Sequence, residues 1–126
     1  MIKKEGPGWR IIRDSSRDTF STLIGGENWA IELNNSEWEN LVQVVIDLFD
    51  QYKTMKEQLM GEEDITLELE RSTWLAILKG DQFGWNLSLI LSSGDPLNRG
   101  AEVYWPRNVT DHVVSAMRTM WDSDYL

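Results

Sequence analysis

Few side chains in this sequence could do chemistry. His112 is the single histidine of the 126-residue chain. An imidazole acts as a general base only beside a nucleophile, an orienting group and a pocket. His112 stands opposite the apolar face of the last predicted helix, which makes it a solvated side chain. Glu68 and Glu70 alternate onto one face of a predicted strand. Paired carboxylates can do acid–base work, but an exposed strand face accounts for them equally well. Glu62, Glu63 and Asp64 form a run at a helix end. Without the spaced Asp/Asn ligands and turn glycine of a calcium loop, they read as a solvated turn. Cysteine is absent, which excludes disulfides, thiolate catalysis and cysteine zinc sites. P-loop, G-x-G-x-x-G and G-x-S-x-G patterns are also missing. The expectation is no enzyme, no metal site and no cofactor. One constellation remains. Trp9, Arg10, Arg13 and Arg17 combine a stacking ring with positive charge in the basic N-terminal segment. Single-strand binding sites need that combination, so these four are the candidate ligand-binding residues. The alternative is a strand with an exposed basic face.

The elements that would position these residues are legible from periodicity and punctuation. Residues 35–61 read as one long helix. Ser36 and Glu39 fit a capping box. Trp38, Leu41, Val42, Val45, Leu48, Phe49, Tyr52, Met55 and Leu59 then line one face at steps of three and four. Gly61 is a suitable C′ stop. Before the helix, residues 1–8 look like a mobile arm ending in a turn. Strands are predicted at 9–14, 19–24 and 29–33, with a hairpin turn at 25–28. After the helix, Ile65, Leu67 and Leu69 alternate with Thr66, Glu68 and Glu70, as in a half-buried antiparallel strand. Residues 73–79 are apolar on both faces and suit a central strand; 85–91 alternate again, and 101–105 form the last strand before Pro106. Asn108, with Asp111 three residues on, caps a second helix whose apolar face is Val109, Val113, Val114, Met117, Met120 and Trp121. An acidic, aromatic tail, WDSDYL, ends the sequence.

An offset of 72 lays the two strand–helix junctions over each other, Leu33 on Trp105 and Ser36 and Glu39 on Asn108 and Asp111. The fold class is therefore α+β, with about seven antiparallel strands and two helices. A possible internal repeat of meander then helix divides a single domain, 1–126, into units 1–61 and 62–126. Net charge is −9 and unevenly placed. Residues 1–17 carry five basic and two acidic side chains, and residues 18–126 seven basic and nineteen acidic. A body this acidic repels a phosphate backbone at long range. No apolar run is long enough to span a membrane. The basic N-terminus is not followed by a signal-peptide core, so the expected location is cytoplasmic.

Several antiparallel strands followed by a helix, repeated, resemble the Whirly proteins of plants. They also resemble a dimer of the small single-stranded-DNA-binding transcriptional coactivators. The chain is acidic and tryptophan-rich, with Gly8-Trp9-Arg10 near its start and Val103-Tyr104-Trp105-Pro106 before a last helix ending in Trp121-Asp122. In this it is similar to an uncharacterised family (a domain of unknown function) of small cyanobacterial and plastid proteins with a Whirly-like fold. The resemblance implies that fold and carries no catalytic residue. Whirly proteins have a Lys-Gly-Lys-type strand motif, whereas this chain has Lys79-Gly80 followed by Asp81. Two functions follow as expectations. The first is a non-catalytic module that binds another protein, suited by the acidic body and by seven tryptophans, some of them exposed. The alternative is a weak single-stranded nucleic-acid binder related in fold to transcriptional regulators.

Overall fold

Eight strands and two helices run in the order four strands, helix, four strands, helix. The computed structural model describes residues 1–124; of the predicted tail, Tyr125 and Leu126 lie outside the described residues. The first sheet is the meander β1 (Ile2–Gly6), β2 (Trp9–Arg13), β3 (Thr22–Gly26) and β4 (Ala30–Leu33), followed by α1 (Asn35–Lys56). The second is β5 (Ile65–Arg71), β6 (Trp74–Asp81), β7 (Gly84–Ser92) and β8 (Gly100–Trp105), followed by α2 (Thr110–Asp124). Strand order in space equals order in sequence in both sheets, and each ladder is antiparallel.

The expected α+β class holds, with eight strands where about seven were predicted. The additional one is β1, in the segment expected to be a mobile arm. Its register closes on Gly6 opposite Trp9. Between them Pro7 takes the second turn position, and Gly8 has φ 81 at the third, which is a type II turn. The Pro-Gly pair that ended the predicted arm is thus a hairpin turn, with a short lysine-bearing edge strand before it.

The cap of α1 also lies elsewhere than predicted. Asn34, not Ser36, is the N-cap. Its side chain accepts from the Glu37 N–H at 2.8 Å, and Glu37 Oε1 accepts from the Asn34 N–H at 2.9 Å. Both Asn34/Glu37 and Ser36/Glu39 have capping-box spacing. The earlier pair wins because it buries Glu37, 4% exposed, against Arg99 Nε at 3.0 Å. At the other end α1 stops at Lys56, well before Gly61. The N–H groups of Gln58 and Leu59 bond back to the carbonyls of Met55 and Lys56, the tighter pattern of a closing turn. Beyond Tyr52 the apolar stripe is thinly covered, with Met55 44% exposed and Leu59 only half-buried. A thinly packed helix end is not sustained by propensity alone.

One core joins both units. α1 lies over β5 and β6 of the second sheet as well as against α2, while α2 also touches β2 and β7. The tryptophans are chiefly structural, and the exposure expected of some is limited to three half-buried ones, Trp9, Trp29 and Trp121. Trp38, Trp74, Trp85 and Trp105 are at most 1% exposed. Trp9, Trp29 and Trp121 are packed against the same core. Indole N–H groups bridge the units: Trp29 donates to Tyr104 O, Trp74 to Glu37 O and Trp105 to Gly25 O. Arg99 adds a fourth bridge, donating to the Glu32 carbonyl while its guanidinium covers the Phe20 ring at 4.5 Å. Trp38 differs from these: its buried indole nitrogen has no partner, and the Arg13 guanidinium lies 5.3 Å from its ring centroid.

Candidate interaction surfaces

Strand alternation separates the four residues predicted to bind a ligand. Trp9, Ile11 and Arg13 point to one face of β2, and Arg10 to the other. Arg13 is committed within the protein, donating to Thr22 Oγ1 at 3.1 Å and Asn35 Oδ1 at 2.8 Å. Arg17 lies in the turn after β2 and pairs with Glu32 at 2.9 Å. Arg13 and Arg17 share a hollow of about 580 Å³, but Asp14, Asp18 and Glu39 line it too. Hydrogen bonds from the Ser16 hydroxyl and N–H hold the Asp14 carboxyl below its ordinary 3.8. Asp14 therefore keeps its negative charge beside the two arginines. Arg10 lines a separate cleft with Trp29 and Glu27, and Trp9 borders it from the other face of the strand. Neither hollow contains all four.

Trp9 finds a different neighbour. Its ring is parallel to that of His112, 2° between planes and 6.4 Å between centroids. The two line a groove of about 530 Å³ between the first hairpin and α2, with Lys3, Lys4, Ser115 and Thr119. His112 is exposed as expected, but against Trp9 rather than in open solvent. The sequence reading missed this pairing because β2 and α2 belong to different units. Glu68 and Glu70 sit on the exposed face of β5, with Ile77 and Leu75 as their neighbours across the ladder. Among the described residues, no group of three or more His, Cys, Asp or Glu side chains converges as metal ligands would. No helix among them is long and apolar enough to cross a membrane.

A third surface has no counterpart in the predicted residues. The β6–β7 hairpin turns through Gln82 and Phe83, between the paired Asp81 and Gly84. Asp81 Oδ1 accepts from the N–H groups of Phe83 at 2.8 Å and Gly84 at 3.2 Å, which fixes the turn. The Phe83 N–H bond and then the Arg107 guanidinium, 3.3 Å away, hold the Asp81 carboxyl below its ordinary 3.8. Tyr52 anchors the hairpin to α1 by donating its hydroxyl to the Asp81 carbonyl. Burial, then the charges of Asp81 and Asp111, push the Tyr52 phenol above 10.0. This rigid turn presents Phe83 with 78% of its surface exposed. Beside it runs the turn after α1: a methyl placed on Gly61 would meet the Gln82 amide at 3.2 Å. That turn holds Met60 at 73% exposure, and Met55 precedes it at 44%. Glu57, Glu62, Glu63 and Asp64 are all exposed around them. Two features of the sequence pointed here. Phe83 occupies a turn position that Gly, Asn or Asp would normally fill, and the apolar stripe of the helix continues past its buried part.

The chain resembles proteins of known sequence and structure along nearly its whole length. A family model described as a domain of unknown function, DUF1818, matches residues 4–120. A crystal structure of a protein of unknown function from Prochlorococcus sp. NATL2A, described as of the DUF155 family, superposes with a TM-score of 0.92. It is 76% identical, over 96% of this chain and 99% of that one. No curated protein matches. With the two four-stranded sheets, the paired helices and a family match spanning both units, the chain belongs to the DUF1818 family of domains of unknown function.

Proposed function

We propose that this chain is a non-catalytic module that binds another protein, and that it does so through the end of the molecule built from the β6–β7 hairpin and the turn after α1. The observation that carries this reading is Phe83, 78% exposed on a turn fixed by Asp81. An aromatic side chain on a turn whose backbone is already fixed costs less ordering on binding, and exposed aromatic residues act as interface anchors. Met55 and Met60 extend the apolar area with side chains that adapt to varied partners. Cytoplasmic location is part of the same proposal. The test places a photo-cross-linking residue at Phe83 and, as a control, at the exposed Lys3. The reading expects one partner to cross-link from position 83 and not from position 3, and its co-purification to be lost in Phe83→Ser. Equal capture from both positions, or none from 83, contradicts it.

A second reading takes the groove beside Trp9 and His112 as a weak site for single-stranded nucleic acid, in keeping with the Whirly-like resemblance. Two parallel rings next to Lys3 and Lys4 favour it. The charge opposes it, since phosphate contacts need Lys or Arg and acidic side chains outnumber basic ones 21 to 12. Affinity in this reading is no better than about high micromolar at physiological salt. Submicromolar anisotropy binding of a labelled single strand would promote it over the first.

A further inference from the structure

We infer that the partner segment received at the Phe83 end is positively charged and carries apolar side chains beside its Lys or Arg residues; this rests on the reading of that end as the interaction surface. Phe83, Met60 and Met55 expose apolar surface there, at 78%, 73% and 44%. Desolvating them against an apolar partner supplies affinity in proportion to the area covered. Their surroundings are charged. Glu57, Glu62, Glu63 and Asp64 are exposed in the same turn, against Lys53 and Lys56 in the last turn of α1. Lys56 is itself placed over the Tyr52 ring, 5.9 Å from its centroid. Arg107 is drawn to Asp81 at 3.3 Å. The rim is thus net negative, on a body that carries nineteen acidic and seven basic side chains beyond residue 17. Such a rim accelerates the approach of a cationic segment and repels an anionic one. It disfavours nucleic acid and anionic lipid for the same reason.

A second copy of this chain is the competing occupant. The N-terminal segment is its one basic stretch, with Met1 83% and Ile2 38% exposed. That contact would join unlike surfaces of identical chains. It would propagate into rings or open filaments, so the structure points to a different protein.

The test uses the full chain and three short labelled peptides of one length: Lys/Leu amphipathic, Asp/Leu with the same apolar positions, and Lys/Ser with the same charges. Anisotropy is read at low and physiological salt. The Lys/Leu peptide should bind at least about tenfold more tightly than either other peptide, and more weakly as salt rises. Phe83→Ser and the triple change Glu62→Gln, Glu63→Gln, Asp64→Asn should each weaken it by about tenfold, with the far-UV spectrum and melting temperature unchanged. Equal binding of the Asp/Leu peptide, no binding of Lys/Leu, or indifference to Phe83→Ser overturns the inference. So does concentration-dependent self-association that Phe83→Ser abolishes, which would assign the surface to a second copy. A partner cross-linked from position 83 through an acidic or neutral segment overturns this inference and leaves the proposed function standing. Absence of any partner at position 83 overturns both.

Discussion

Arg99→Met should destabilise the protein by about 4–5 kcal/mol. The substitution keeps an unbranched apolar stem over Phe20 and removes the donors. Arg99 Nε meets Glu37 Oε2 at 3.0 Å, with side-chain exposures of 25% and 4%. The remaining polar contact of that carboxylate is the Asn34 N–H. Breaking a fully buried pair from one side costs about 3–5 kcal/mol, because a charge is left uncompensated. The quarter-exposed guanidinium site admits some water, which moves the cost of breaking this pair to the low end of that range. Loss of the bond to the Glu32 carbonyl and of the cation–π contact with Phe20 acts in the same direction, by about 0.5–1 kcal/mol each. Urea unfolding is the assay, with Lys3→Met as control. Lys3 and Glu5 form an ion pair 47% and 52% exposed, and losing it should cost less than about 0.5 kcal/mol. Glu37→Gln should be milder in the Arg99→Met background than alone, with a coupling of at least about 1.5 kcal/mol. Equal midpoints for Arg99→Met and Lys3→Met would refute the view that this pair locks the two units together.

Asn34→Ala should cost about 1 kcal/mol and Ser36→Ala less than about 0.5, measured as shifts in the urea midpoint; the reverse order would return the cap to Ser36. Gly80→Ala should cost about 1–3 kcal/mol, since its methyl would meet Gly84 O and Trp85 Cβ at 2.8 Å and Tyr52 Cε1 at 2.9 Å. Tyr52 has its phenol raised above 10.0 by burial. Its contribution should be full below pH 10.0 and fall as the pH rises past that value; a pH series of melting temperatures reads this, and Tyr52→Phe should flatten the alkaline limb. Asp81, held below 3.8 chiefly by the Phe83 N–H, contributes above that pH and should lose its contribution as the pH falls through the lowered value. Asp81→Asn should reduce the acid dependence.

Much of the fold was legible in the sequence because each sheet is a meander, so neighbours in space are neighbours in the chain. Alternation at Ile65, Leu67 and Leu69, and at Trp85, Leu87, Leu89 and Leu91, matched strands whose register runs from Ile65↔Gly80 to Leu87↔Trp105. The start and end of α1 were misplaced because long-range contacts decided them. Arg99, 62 residues from Glu37, selects the Asn34 cap, and the thin cover beyond Tyr52 ends the helix. β1 was misread because an edge strand with two lysines has little apolar pattern of its own, and its evidence is the turn that follows. The candidate site was the least legible part. Period-two alternation parts Trp9 from Arg10, and internal acceptors occupy Arg13 and Arg17. The β6–β7 hairpin and the turn after α1 approach each other at Gln82 and Gly61, which no local pattern joins.

The methionine methyl groups offer the most direct test of the Phe83 end as the interaction surface. There are five methionines. Met55 and Met60 lie at that end, Met117 and Met120 are fully buried, and Met1 lines the hollow with Arg13 and Arg17. Methyl-labelled protein titrated with the Lys/Leu peptide, followed by NMR, reports each position separately. The account predicts shifts at Met55 and Met60, with Met1, Met117 and Met120 unmoved. A shift at Met1 with Met55 and Met60 silent would place binding at the basic N-terminal segment and contradict it.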